Sequence, residues 1–404
     1  MLEGVNVALG VSGSIAAVKV VELAHELRRR GAAVRAVMTE SARGIVHPWA
    51  VEFATGNDVV TEITGRVEHV ELCGRDGWAD VLLLAPATAN TVGKIAAAVD
   101  DTPVTTCATT ALGAGVPVVV APAMHEPMYD HPGVLDAIDR VASWGVEFVD
   151  PRIEEGKAKI ATEEAVVTGV ARATTAQTLA GKRIVVTSGA TSEPIDPVRV
   201  LTNRASGRTG RAVARACAIR GADVTLVHDG GAVHYADAVS VETGAEMLDA
   251  VLDAVEGGDG DGDGGVDGLV SAAAISDYTV EAAAEKLRSG EPRTLELEPT
   301  PKLIDEVRAG YPDLAIVGFK AETSGDDDAM VEAARRTLDR VGCSFVVAND
   351  ASVMGRDETR TLFVRSDSTA EFAGTKDELG ARVADELASE LSELGERSEE
   401  RRRR

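Results

Sequence analysis

The sequence predicts an α/β protein built from two doubly wound, Rossmann-like parallel-sheet domains. Three observations predict it. The chain has 404 residues, more than one ordinary core organises. Apolar residues make up 45% of it and aromatics only 3%, so the cores are Ala, Val, Leu and Ile, which suits parallel strands covered by helices on both faces. A strand–loop–helix–Gly–strand rhythm also occurs twice, once at the start and once from Lys182.

The elements follow in order. Residues 5–9 form an apolar run, 10–14 a small-residue loop, and 15–30 a helix with Ala17, Val20, Val21, Ala24 and Leu27 toward one side. Gly31 ends that helix, and 33–38 is the next strand. Strands at 81–85 and 116–121 flank a loop at 86–90 and a helix at 91–99. The pattern then weakens. We therefore expect a first domain at 1–165, a linker at 166–181, a second domain at 182–390 and a charged tail at 391–404. Inside the second domain a strand at 183–187 leads through a polar loop, 188–197, to a helix at 210–220, ended by Gly221, and a strand at 223–227. In the Gly/Asp run 256–268, Asp259, Asp261, Asp263 and Gly264 imitate the opening of a calcium-binding loop. Val270 stands where a bidentate Glu is required, so a flexible acidic loop is expected. Residues 376–404 are expected to form a helix that frays into the tail.

The net charge of −25 disfavours nucleic acid and anionic lipid as partners. The acid is spread along the chain and accompanied by Arg more than Lys, as in proteins adapted to high salt. Four scattered cysteines with no CxxC speak against zinc ribbons and thioredoxin chemistry. There is no signal peptide and no apolar stretch of spanning length, so a cytoplasmic, non-membrane protein is expected.

Candidate chemistry gathers after the strands. Residues 10–14, Gly-Val-Ser-Gly-Ser, open a helix and offer N–H groups and hydroxyls to a phosphate. A tight turn needing Gly is the plainer reading. The loop lacks the GxGxxG pattern, which disfavours NAD and leaves a mononucleotide phosphate. Thr39 and Ser41, then Pro86, Thr88 and Asn90, then Met124 and His125 follow three further strand ends. In the second half, residues 187–207 form a long hydroxyl-, Gly- and Arg-rich loop suited to phosphates.

Gly13-Ser14-Ile15-Ala16-Ala17, the Pro-Ala-Thr-Ala-Asn segment from Pro86 and the Pro-Ala-Met segment from Pro122 together resemble the flavin-dependent cysteine decarboxylases. The resemblance implies FMN held by Gly13, Ser14, Ile15, Thr39, Ser41, Pro86, Thr88 and Asn90, in a trimeric core with the site between subunits. It makes His69, set in Glu68-His69-Val70-Glu71-Leu72 before Trp78-Ala79-Asp80, the base of an oxidative decarboxylation of a cysteine side chain, where a neutral imidazole accepts a proton. Met124 and His125 take substrate-contact positions, with His125 where bacterial members carry Asn. The flap Cys of those members is missing; Lys157 or Lys159 in that stretch is a candidate to supply a proton or bind the substrate phosphate, solvated linker lysines being the alternative.

The segments Asn203-Arg204-Ala205-Ser206-Gly207, Ser271-Ala272-Ala273-Ala274-Ile275-Ser276-Asp277, Glu285-Lys286, Gly318-Phe319-Lys320-Ala321-Glu322-Thr323 and Ala348-Asn349-Asp350 resemble the phosphopantothenate–cysteine ligases, in that family's order. The resemblance implies that a carboxylate is activated as an acyl-nucleotide and captured by the cysteine amine. Asn203 steadies the intermediate, Lys286 faces the triphosphate, and Asp277 contacts nucleotide or Mg²⁺. Ser271, Ala272, Ala273, Thr300, Pro301, Lys302, Leu303 and Phe319 match nucleotide-pocket positions. Thr337 and Val341 stand where that family often has two Lys, with Arg336 and Arg340 one residue away. Together the resemblances imply a bifunctional enzyme of coenzyme A synthesis. It would use 4′-phosphopantothenate, cysteine and CTP (ATP being the alternative), with FMN and Mg²⁺, and with dimeric ligase domains. A flavin-binding regulatory protein is the reading from another class, disfavoured by His69 and by the intact second half. A nicotinamide-dependent reductase is disfavoured by the missing fingerprint.

Overall fold

The computed structural model describes residues 1–154, 157–257, 265–322, 326–350 and 358–402. Glu155, Gly156, Thr323 and the imitation calcium loop with Asp259, Asp261, Asp263 and Gly264 lie outside the described residues. Two compact units divide the chain, Met1–Ala176 and Gln177–Arg404.

The first unit holds a five-stranded parallel sheet in the order Ala33–Met38, Asn6–Val11, Val81–Ala87, Val118–Pro122, Glu147–Phe148. Its strands read as unbroken apolar runs because both faces are covered. Leu82, Leu84, Val118 and Val120 pack with Val104, Cys107 and Ala111 on one side. The first strand runs on through Gly10 and Val11, which the sequence suggested were loop. Gly10 is needed there, since a Cβ would meet Leu84 Cδ2 at 2.6 Å. Instead of one helix, residues after Ser14 make a 3₁₀ turn, Ile15–Lys19, and then the helix Val20–Arg29.

The linker expected at 166–181 is corrected. Glu163–Thr174 is a helix of the first unit, with the Thr162 side chain accepting from the Ala165 N–H and residues 165–171 buried. Thr168 and Gly169 made the stretch look polar. Gly169 in fact lies where a Cβ would meet Val149 Cγ2 at 2.8 Å, a close packing contact. Beside this helix, burial pushes the Glu147 carboxyl up from 4.5 to about 7, with Arg172 at 4.0 Å opposing the shift. The folded state therefore favours the protonated form. Its stabilising contribution is present below the ordinary carboxylate value and fades as pH rises through about 7. Glu147→Gln is expected to flatten the melting temperature of the first unit across that window and to raise it at pH 8. An unchanged slope in thermal denaturation against pH would refute the assignment.

The second unit holds an eight-stranded sheet in the order Asp237–Ser240, Asp223–His228, Arg183–Ser188, Gly268–Ser271, Ala315–Glu322, Phe345–Asp350, Glu358–Val364, Thr369–Thr375. The first six strands are parallel; the last two are antiparallel. The parallel reading fails at this edge because a short turn, with Arg365 N–H donating to Ser368 O at 2.9 Å, is too brief for a parallel crossover. Helices Arg208–Ile219 and Lys376–Arg402 cover one face, where Val213, Cys217, Leu379, Val383 and Leu387 meet Val317, Phe345 and Val347. Gly244–Glu256, Leu303–Gly310 and Asp327–Val341 cover the other. The first pair of helices packs closely: a Cβ on Gly380 would meet the Ala212 backbone at 2.6 Å, and Arg220 Nε pairs with Asp385 at 2.6 Å. The helix carries on past 390 and Leu391 packs in the core, so the expected tail does not begin there. No described helix is long and apolar enough to cross a membrane.

Candidate active sites

In the first unit the carboxyl ends of the strands bring the expected flavin segments together. Ser12, only 2% exposed, ties two of them: its Oγ donates to Pro86 O at 2.8 Å and accepts from Thr88 N–H at 3.1 Å. Ser14 Oγ donates to Ala123 O at 3.1 Å, which reaches the segment bearing Met124 and His125. Thr39 Oγ1 and Ser41 Oγ lie 3.1 Å apart, and a Cβ on Gly13 would meet Ser41 Oγ at 2.3 Å. Each loop starts a helical turn whose first N–H groups are partly satisfied by these hydroxyls: Ser14 accepts from Ala16, Thr39 from Ala42, Thr88 from Thr91. The result is a small-residue cradle of N–H and hydroxyl groups with Ile15, Ser41 and Asn90 at its open side, all exposed. Such a cradle fits a phosphate and a flat ring approaching the backbone closely. Lys157 pairs in register with His125 across an antiparallel strand pair, so these two expected substrate positions are neighbours.

His69 lies on the short helix Glu68–Cys73. The residue before that helix, Val67, has φ 53°, a left-handed conformation costly for a β-branched side chain. Thr64 grips the turn, its hydroxyl and N–H both donating to Glu68 and holding that carboxyl down to about 2. The inner side of the helix is fixed by Leu72 and Cys73 in the core, beside Cys107 and Ala108. His69 itself is half-buried, and its Nδ1 is buried without a hydrogen-bond partner. Among the described residues only His228 Nδ1 and Thr361 Oγ1 share that condition. The Cys73 thiol, hydrogen-bonded to Cys107, and burial together push the Cys107 thiol far above its ordinary value. The Cys107 thiol is therefore protonated and inert, and no substitute for a reactive flap Cys.

In the second unit a cleft of about 310 Å³ opens at the carboxyl edge of the sheet. Ala272, Ala273, Asp277 and Phe319, four of the residues expected at a nucleotide, line it. Asn203 is held at its edge, with Nδ2 donating to Ala274 O at 2.6 Å and Oδ1 accepting from Ala205 N–H at 2.9 Å. Thr187 and Thr191 brace the loop beyond Ser271, accepting from Ala273 N–H at 3.2 Å and Ser276 N–H at 2.9 Å. Thr300 joins this loop, with its hydroxyl on Ser276 O at 2.6 Å, and Lys302 pairs with Asp277. Pro301 sits between these two contacts in sequence.

Other expected residues stand apart from the cleft lining. Leu303 and Val341 are buried in the core on the opposite face of the sheet, so neither is placed to touch a nucleotide. Thr337 spends its hydroxyl on Ala333 O at 3.3 Å within its own helix. Arg340 pairs with Asp305 and Arg336 with Glu332. Lys286 is on an exposed loop whose next residue, Leu287, donates its N–H to the buried Asp196 at 3.0 Å. Asp277 is a single carboxylate: no group of three metal-ligating side chains occurs among the described residues. Sequence reasoning missed Thr359, Thr361 and Lys376, which close the cleft from the antiparallel hairpin and the last helix. The alternation Thr359–Thr361–Phe363 was the available signal, placing both hydroxyls on the face that Phe363 buries.

Comparison with known proteins covers both units. Residues 1–175 match the flavoprotein family model, and residues 179–391 match the DNA/pantothenate metabolism flavoprotein C-terminal domain. The chain is 48% identical over 395 residues to the coenzyme A biosynthesis bifunctional protein CoaBC of Thermococcus kodakarensis, covering 96% of both chains. It is 34% identical to the corresponding protein of Methanocaldococcus jannaschii, over 96% of this chain and 94% of that one. Among solved structures, the C-terminal domain of a coenzyme A biosynthesis bifunctional protein CoaBC is 28% identical over 54% of this chain and 100% of that chain, with a TM-score of 0.45.

Proposed function

The chain belongs to the family of coenzyme A biosynthesis bifunctional proteins, and from that premise we propose how its two units divide two consecutive steps. The second unit joins cysteine to 4′-phosphopantothenate through an acyl-cytidylate. The first unit decarboxylates the resulting phosphopantothenoylcysteine to 4′-phosphopantetheine. The observation that carries the assignment is the pairing, on one chain, of a small-residue cradle of N–H and hydroxyl groups around Gly13, Ser12 and Ser41 with a separate polar cleft bordered by Asn203.

FMN bound in the first cradle would supply reversible two-electron oxidation of the cysteine side chain, giving an electron sink for the pair left behind when the carboxylate departs as carbon dioxide. Gly13, Ser14, Ile15, Thr39, Ser41, Pro86, Thr88 and Asn90 would hold it. His69 accepts the proton that leaves the substrate; its ring is half-buried, and with Nδ1 unpaired no internal hydrogen bond at that atom commits it to another role. Met124, His125 and Lys157 receive the substrate, the last two as neighbours across a strand pair. Ile15, Val18, Trp49 and Phe53 are exposed apolar residues at and near the flavin loop, which supports a homo-oligomeric core, trimeric in our reading, that covers them. We further assign dimers to the ligase unit.

In the ligase unit Asn203 steadies the charge that develops on the acyl-nucleotide, and Lys286 and Lys302 offset the triphosphate. Asp277 would contribute one carboxylate to a Mg²⁺ ion that would offset the charge of the substrate phosphates. Ser271, Ala272, Ala273, Thr300, Pro301 and Phe319 frame the nucleotide. The test is mass spectrometry of products from 4′-phosphopantothenate, cysteine, CTP and Mg²⁺ in high salt. The expected product is 4′-phosphopantetheine, and chelation of the divalent ion is expected to stop ligation alone. Accumulation of phosphopantothenoylcysteine would refute the decarboxylase assignment. No ligation with either CTP or ATP would refute the ligase assignment.

A further inference from the structure

The ligase cleft has a floor that no role above explains. Thr361 is 2% exposed, lines the cleft, and has no hydrogen-bond partner for its Oγ1 among the described residues. A buried hydroxyl left unpaired is costly, and native proteins keep few of them. Register explains its setting. Ala321, Asn349 and Thr361 lie side by side across three strands, one step beyond the apolar row Phe319, Val347 and Phe363. Phe372 pairs with Thr361 from the edge strand. The hydroxyl and the Asn349 amide therefore form a short polar row above a floor of Phe side chains. A phosphate would be stripped of water on that floor, whereas the helix start at Arg208 and the Lys320 and Lys376 residues elsewhere in the lining suit phosphates better. A flat neutral heteroaromatic ring needs such a floor, with polar partners at its edge.

We propose that Thr361, beside Asn349, reads the edge of the nucleobase in the ligase cleft and so contributes to the choice of nucleotide. This rests on the reading of that cleft as the nucleotide site. Asn349 and Thr361 each offer a donor and an acceptor, which matches the mixed donor–acceptor edge of cytosine.

The experiment is Thr361→Val in the full chain, with Thr361→Ser as the conservative partner. Melting temperature is followed with CTP, UTP and ATP, alongside the KM for each nucleotide in ligation. Without nucleotide, Thr361→Val is expected to melt at the same temperature or higher, because an unpaired hydroxyl has been replaced by a methyl of equal size. Its affinity for CTP is expected to fall about tenfold, with a smaller loss for UTP and ATP, and Thr361→Ser to retain most of the wild-type affinity. A lowered melting temperature without nucleotide would mark the hydroxyl as structural and overturn the proposal. So would an unchanged response to CTP, or an equal loss for all three nucleotides, which would place the contact on ribose or phosphate. If the wild-type chain responds to no nucleotide, the reading of the cleft itself fails. A wild-type response with an unaffected Thr361→Val overturns the base-reading role alone.

Discussion

Replacing His69 with Asn is expected to stop carbon dioxide release while leaving flavin bound and ligation intact. Asn fills similar space and keeps polar character, but it has no basic nitrogen to accept a proton near neutral pH. Loss of a positioned general base costs about 10²–10⁴-fold in rate. The protein has prepared this group in two ways. Val67 is held left-handed before the helix, and Leu72 and Cys73 fix its inner side, so the ring is placed by packing and not by hydrogen bonds of its own. The free Nδ1 means that the substitution breaks no internal bond there, so folding and flavin absorbance should survive. Supplied phosphopantothenoylcysteine, assayed for carbon dioxide and 4′-phosphopantetheine, gives the readout. A rate within threefold of wild type would remove His69 from the mechanism.

The second large effect is expected at Asn203. In Asn203→Asp the side chain can still accept from Ala205 N–H, but it loses the N–H that now donates to Ala274 O at 2.6 Å. A carboxylate would then face a carbonyl oxygen and the anionic intermediate at once. Removing one donor of this kind lowers rates about 10²–10³-fold, and the added negative charge works in the same direction. Pyrophosphate release and phosphopantothenoylcysteine formation should both fall, and decarboxylation of supplied intermediate should not. Wild-type ligation by this variant would refute the role.

Much of this arrangement was legible in the residue order. Parallel strands buried on both faces announce themselves as apolar runs, and Gly31 and Gly221 mark helix ends by their positive φ of 100° and 91°. The small-residue loops that meet at the carboxyl ends of the first sheet were legible because Gly and hydroxyl residues cluster where strands stop. What was hidden depended on partners distant in sequence. The helix Glu163–Thr174 looked like a linker because Gly169 is explained only by Val149 packing against it. Val341 was matched to a Lys position, yet its side of the helix packs into the core, a fact set by the sheet beneath and not by its neighbours in sequence. Ser12 gave no local signal, since its importance comes from Pro86 and Thr88, and the alternation around Thr361 showed its face but not that its hydroxyl stays unpaired in the cleft.

The helix Lys376–Arg402 supplies Leu379, Val383, Leu387 and Leu391 to the same core as Val213 and Cys217 of the unit's first helix. During synthesis, then, the two units mature on different schedules. Residues 1–176 can complete their own sheet and core while the rest is still being made. The second unit must wait for its last helix, leaving Val213 and its neighbours uncovered for about ten to forty seconds of elongation. Over that interval the apolar face that Leu379, Val383 and Leu387 will cover stays open to other chains.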